Sequence, residues 1–163
     1  MPPQNTERRQ AMADAAIDVL GEVGVHGLSH RAVDERAGLP VGTASNYFRS
    51  RDALLAAAAE RVAELHGAET FVGKDLVEVV GRALFTAVTQ HRRRWLAICE
   101  LTLESTRRPA LRETLTRVNE VSIQGLVLPF GNAVFGLLTG PPERITKETV
   151  FACAKAMVNG AQA

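Results

Sequence analysis

The chain has 163 residues, of which 46% are hydrophobic and 23% charged, with a formal net charge of +1. That is the composition of an ordinary globular chain of one domain or two small ones, long enough to bury a core without staples. It excludes a disordered tail and a collagen-like fibre. Cys99 and Cys153 are the only cysteines, which excludes a disulfide scaffold and suits a reducing, cytoplasmic compartment. Total charge does not announce a nucleic-acid binder, so such a function must show in local pattern.

Strand signals are scarce and helical periodicity is abundant, so the fold class is all-α. The first ten residues have no apolar core, so no signal peptide is expected. A first helix is predicted over about Thr6 to Val23, with Met12, Ala16, Val19, Leu20 and Val23 on one face and Gly24 and Gly27 ending it. A short helix follows from Ser29, a good N-cap residue, to Ala37, and Gly38 stops it. A third runs from Val41 to Phe48, with Pro40 at its start. Neither short helix persists alone in water, so the first three helices form one compact unit.

Ser50 caps a long helix carrying Leu54, Leu55, Ala58, Val62 and Leu65. Its pattern lapses around His66 to Gly73. Further helices are predicted over Lys74 to about Gln90 and through Trp95 to about Thr106. Another runs from Pro109 through Leu111, Leu115, Val118, Val121 and Ile123, extending towards Leu138. A last one falls within Glu143 to Ala163. The apolar stretch from Gly125 to Gly140 is broken by Pro129 and Asn132 and falls short of the roughly 18 residues of a membrane span, so no membrane partner is expected. The expected division is residues 1–49 as a helix-turn-helix unit and 50–163 as a helical regulatory and dimerisation domain, joined by the long helix.

Two short helices joined at a glycine turn under a first helix make a helix-turn-helix. That geometry lays the second short helix in the major groove. Here Gly42 permits close approach, and Thr43, Ser45, Asn46 and Tyr47 offer donors and acceptors suited to phosphates and base edges. The segment Gly38-Leu39-Pro40-Val41-Gly42-Thr43-Ala44-Ser45-Asn46-Tyr47-Phe48, followed by Ser50-Arg51-Asp52-Ala53-Leu54, resembles the signature of the TetR-like transcriptional regulators. The resemblance covers about Thr6 to Leu65. It implies that Thr43 and Asn46 face DNA, with Val41, Gly42 and Ser45 in the same interface. It implies further that Tyr47 and Arg51 contact phosphates, that Ser29 and Arg31 lie near the backbone, and that Phe48 is core. Ser45 stands where a tyrosine is frequent, Pro40 where a serine is, and Asp34 where an alanine is. The resemblance also implies a repressor that binds a palindromic double-stranded operator as a homodimer and is released by a small-molecule effector.

Local charge bears on that expectation. Met1 to Leu54 holds six arginines against seven acids, whereas a DNA-binding unit is usually basic. The acids must therefore face away from DNA while Arg8, Arg9, Arg31, Arg49 and Arg51 converge on it. The most basic stretch is His91 to Arg117, with seven arginines against three acids, read as a solvated face or an anion-recognising surface.

Trp95, Cys99 and Leu103 recur at helical spacing, with Phe85 on the preceding helix. They pack as core or wall an effector pocket, with His66 and Glu104 as its polar groups. Val150, Ala154, Met157 and Val158 are the expected dimer seam. In the resembling family two final helices form that interface, and Gly160 to Ala163 follows only the first of them, so either the seam is reduced or the sequence lacks its natural end. The four histidines lack metal-ligand spacing and there is no Cys-x-x-Cys, so no metal and no cofactor are expected. No phosphate loop or nucleophile elbow supports an enzyme. A helical ligand- or partner-binding module without DNA function is the alternative class.

Overall fold

The computed structural model describes residues 3–120, 127–141, 143 and 145–160. Among these, the regular structure is nine helices: α1 Pro3–Gly27, α2 His30–Ala37, α3 Thr43–Tyr47, α4 Arg51–Gly67, α5 Leu76–Thr89, α6 Arg92–Ser105, α7 Pro109–Glu120, α8 Val127–Thr139 and α9 Lys147–Gly160. Val121 and Ile123 lie outside the described residues.

Side-chain caps set the starts. Ser29 Oγ accepts the Ala32 N–H at 3.1 Å and Ser50 Oγ that of Ala53 at 3.1 Å. The Asp75 carboxylate accepts the Glu78 N–H at 2.8 Å. Each satisfies a donor that the helix itself leaves orphaned. Within α1, Gly24 stands at φ 72° and ψ −178°, a conformation open essentially to glycine, and the helix kinks there. The expected stop at Gly24 is thus a break that the chain passes through before ending at Gly27.

Two cores result. The first takes Met12, Ala16 and Leu20 from α1, Val33 from α2, Ala44 and Phe48 from around α3, and Leu54, Leu55 and Val62 from α4, but also Ala97 and Leu101 from α6 and Leu111 and Leu115 from α7. The second joins Val80, Leu84 and Val88 of α5 to Val134 and Leu138 of α8 and Val150, Ala154 and Val158 of α9. Helix α6 serves both, turning Ala97 and Leu101 to the first and Trp95 and Leu96 to the second. Packing therefore crosses the expected division at residue 49. Gly21 of α1 lies directly against the Arg93 backbone of α6, an approach that only a missing side chain permits.

Candidate nucleic-acid interface

The turn before α3 is longer than expected. Pro40 is not at the helix start: its carbonyl accepts the Thr43 N–H at 3.1 Å, and Gly42, at φ 94°, is the N-cap. A glycine N-cap has no side chain to accept the first orphan N–H groups, so an acceptor must come from elsewhere. It comes from Asp34 of α2, which is 0% exposed. One carboxylate oxygen accepts the Gly42 N–H at 2.7 Å and the other the Ala44 N–H at 2.7 Å. Ala44 and Phe48 then anchor α3 in the first core.

This anchoring turns Val41, Ser45 and Asn46 outward and leaves Thr43 and Tyr47 half-buried. Val41 is 76% exposed, and Ser45 and Asn46 are exposed beside it. Thr43 Oγ1 donates to the Pro40 carbonyl at 2.6 Å and Ser45 Oγ to that of Gly42 at 2.8 Å. Asn46 makes no hydrogen bond to the described residues, and the Tyr47 ring leans on the core. Ser29 is the α2 cap, and Arg31 pairs with Glu35 one turn on at 2.9 Å. Arg51, expected on a phosphate, instead grips α1: its Nε donates to the Leu28 carbonyl at 3.1 Å and its Nη2 to the Val25 carbonyl. Its stem lies at the start of α4, within reach of these carbonyls at and just past the end of α1.

The acids of this half are largely neutralised. Asp34 is spent on α3, and Glu35 pairs with Arg31. Asp14 meets Arg61 at 2.8 Å, Asp18 and Glu22 meet Arg36, and Asp52 meets Arg108. Arg61 and Arg108 come from beyond residue 54, which is why a count over Met1 to Leu54 misjudges the surface. Arg8 and Arg49 are exposed and carry no ion pair among the described residues. Arg9 stacks its guanidinium 4.7 Å above the Phe48 ring, beside the end of α3.

A second set of contacts ties this half to α6. Glu100 accepts the Val25 N–H at 2.8 Å, just past the kink at Gly24. The Val25 backbone is thus held from both sides, by Glu100 on its N–H and Arg51 on its carbonyl. Glu104 accepts from Arg108 at 2.8 Å, and that hydrogen bond holds its carboxyl below the usual carboxylate range.

The expected effector residues come together only in part. The rings of His66 and Trp95 meet edge-on with centroids 5.4 Å apart, and Phe85 and Trp95 both pack on the second core. Cys99 is half-buried, and burial pushes its thiol pKa up, keeping it protonated. Glu104 is taken by Arg108, and Leu103 is 61% exposed, so the Trp95–Cys99–Leu103 face runs out into solvent. Val150, Ala154 and Val158, expected on a dimer seam, are 0%, 0% and 5% exposed inside the chain's own second core, with Met157 packed against it. Helix α5 supplies the cover that the seam was expected to receive from another copy. Among the described residues no group of three metal-ligating side chains gathers, and no helix is long and apolar enough to cross a membrane.

Burial lowers the His66 pKa, with Glu69 raising it and Arg94 lowering it to lesser degrees. Below about pH 6.5, the ordinary histidine value, the unfolded chain takes a proton that the folded chain refuses. Stability should therefore fall as pH drops through that value towards the lower folded pKa. Urea midpoints at about pH 7.5 and about pH 5.5 check this, and His66→Phe should flatten the dependence. An unchanged slope in that variant would assign the effect to another group.

A short helix capped from a neighbouring helix, with its polar side turned out and Arg9 and Arg49 near its end, defines a helix-turn-helix unit of the DNA-binding type. Residues 13–58 match the model of the bacterial regulatory proteins of the tetR family, and residues 73–127 match the tetracyclin repressor-like C-terminal domain. The chain belongs to the tetR family. The HTH-type transcriptional repressor KstR of Mycolicibacterium smegmatis is 32% identical over 111 residues, which are 68% of this chain and 50% of that protein. The HTH-type transcriptional regulator BetI of Klebsiella pneumoniae is 38% identical over 50 residues, 31% of this chain and 26% of that one. The chain thus spans half or less of the length of these relatives. A solved structure of the multidrug binding protein EbrR complexed with ethidium is 28% identical with a TM-score of 0.63, covering 92% of this chain and 98% of that one.

Proposed function

We propose that this protein is an effector-responsive transcriptional repressor that binds a roughly palindromic operator as a homodimer. The observation that carries the reading is the α3 surface: Thr43, Ser45, Asn46 and Tyr47 on a five-residue helix whose start Asp34 holds, with Val41 and Gly42 in the turn before it. Asn46 is suited to bidentate pairing with adenine, and Val41 to contact with a thymine methyl. One such helix reads few base pairs. Two copies related by a two-fold axis reach half-sites about 34–36 Å apart and add their affinities. With Val150, Ala154 and Val158 buried internally, the two-fold contact falls to the outer faces of α8 and α9, where Phe135 is 57% exposed and Ala152 and Ala156 face outward.

The switch follows from α6. An effector seated beside Trp95 displaces α6; Glu100 carries the displacement to Val25, and Glu104, through Arg108, to Asp52 at the start of α4. The effector must favour the arrangement that does not fit the operator, with a coupling of about 1–3 kcal/mol.

Binding to DNA from around its own coding region, at about 50 mM and about 200 mM salt, tests the first part. Tight, selective and salt-sensitive binding is expected, with Asn46→Ala and Tyr47→Ala each losing about 1–3 kcal/mol. Salt-insensitive or unselective binding by the parent would defeat the reading in favour of a helical module without DNA function. Light scattering of the same sample reports the dimer.

A further inference from the structure

A partly buried polar cluster, centred on the buried Arg94, sits where α4 ends and α6 begins. His66 lies in the last turn of α4, Glu69 in the connection after it, and His91, Arg94 and Trp95 at the start of α6. Glu69 accepts from Arg94 Nη2 and lies 3.2 Å from His91 Nε2. Arg94 is 9% exposed, and the His66 ring abuts Trp95. Two nitrogens of this cluster, Arg94 Nε and His66 Nδ1, are buried without a hydrogen-bond partner, and they are the only buried side-chain polar atoms so placed among the described residues. A buried donor left unpaired is costly, and native folds seldom tolerate one without a purpose. Here two unpaired nitrogens share one cluster, beside the only tryptophan of the chain.

The chemistry of the two nitrogens defines what would satisfy them. Arg94 Nε carries a hydrogen and can only donate. His66, kept neutral by burial, can donate or accept at Nδ1. The carboxylate of the cluster, Glu69, meets both Arg94 and His91 through its Oε1, and the Arg94 guanidinium offsets its charge, so the cluster offers no net negative charge to a positively charged ligand. Trp95 and Phe85 add aromatic surface on the second core.

We propose that this cluster is the polar end of the effector site and that it takes a planar aromatic ligand bearing an oxygen acceptor, a carboxylate or a carbonyl, in preference to a cation. This rests on the reading of the chain as effector-responsive and names the ligand class that reading leaves open. The ligand oxygen accepts from Arg94 Nε, His66 Nδ1 completes the second hydrogen bond, and the ring lies against Trp95.

Trp95 emission in the full chain is the readout. Benzoate, benzamide and 1-naphthoate are titrated beside the cations benzamidine and ethidium, with calorimetry on the same samples. At least one acceptor probe should bind saturably and tenfold or more tighter than either cation; benzoate against benzamide distinguishes a charged from a neutral acceptor. Arg94→Lys keeps the charge facing Glu69 but removes the Nε–H, and His66→Phe keeps the ring beside Trp95 but removes both nitrogens. Each should weaken the probe tenfold or more at an unchanged far-ultraviolet circular dichroism spectrum. Cations binding as tightly, no probe altering Trp95, or parent-like binding in both variants would overturn the proposal. Operator binding is measured on the same samples. Intact operator binding without any probe binding sinks the ligand assignment alone. Probe binding without operator binding supports the cluster as a ligand site and sinks the regulator reading.

Discussion

Asp34→Ala should abolish selective operator binding and lower stability by roughly 2–4 kcal/mol, because it strips the acceptor from two N–H groups at once, that of Ala44 buried and that of Gly42 partly so. The Gly42 and Ala44 amides have no substitute: Gly42 offers no side chain, and the nearest hydroxyls, Thr43 and Ser45, are turned to the carbonyls of Pro40 and Gly42. A five-residue helix cannot hold itself together, so its direction depends on that carboxylate and on Phe48. Asp34→Asn is the sharper variant. Its amide keeps one acceptor oxygen but turns an NH2 donor towards the other N–H, so it should lose at least half as much while preserving shape. Urea midpoints and operator titrations measure both. Parent-like affinity in Asp34→Ala would mean that the recognition helix is oriented by packing alone.

Gly21→Ala should be nearly as severe, at about 3 kcal/mol, the upper end for an overpacked site. An added Cβ there falls on the backbone of Arg93, 2.9 Å from its Cα and closer still to its carbonyl. A side chain could swing aside, but a peptide cannot, so α1 and α6 must part. The separation pulls on Glu100 and Val25 as well, so the variant should respond to effector more weakly than its loss of stability explains. Gly131→Ala is the control: its Cβ meets nothing within 4 Å, and alanine in a helix should add about 0.5–1 kcal/mol. Thermal midpoints of the two variants, moving in opposite directions, would establish that the cost lies in the α1–α6 contact and not in glycine replacement as such.

The elements that could be read from the sequence are those whose cause is local. Ser29 and Ser50 cap where an N-cap residue was expected, and Pro109 opens α7 as its fixed φ suggests. The α3 start differs from the expected one because Pro40 serves a turn rather than a helix, a choice set by Asp34, eight residues before the Gly42 it holds. A glycine at an N-cap was the available clue that some distant acceptor existed. The contact from Glu100 to Val25 spans 75 residues and leaves no trace in periodicity. Periodicity also says which residues share a face and not what covers it. The face of Val150, Ala154 and Val158 was read correctly as apolar, but α5 claims it. Likewise the charge of the first 54 residues was countable, but the partners Arg61 and Arg108 were not.

The first core has a consequence for exchange between proteins. Its residues come from α1 to α4, and its far wall is Ala97 and Leu101 of α6 with Leu111 and Leu115 of α7. A chimera that joins this DNA-reading half to a different sensing half would inherit a foreign wall at those four positions. It would also need a glycine at position 21 and an acid at position 100 to seat the new helix. On the proposed roles of Asn46 and Arg94, those two positions can diverge freely, while the surface between the halves has to change as a matched pair.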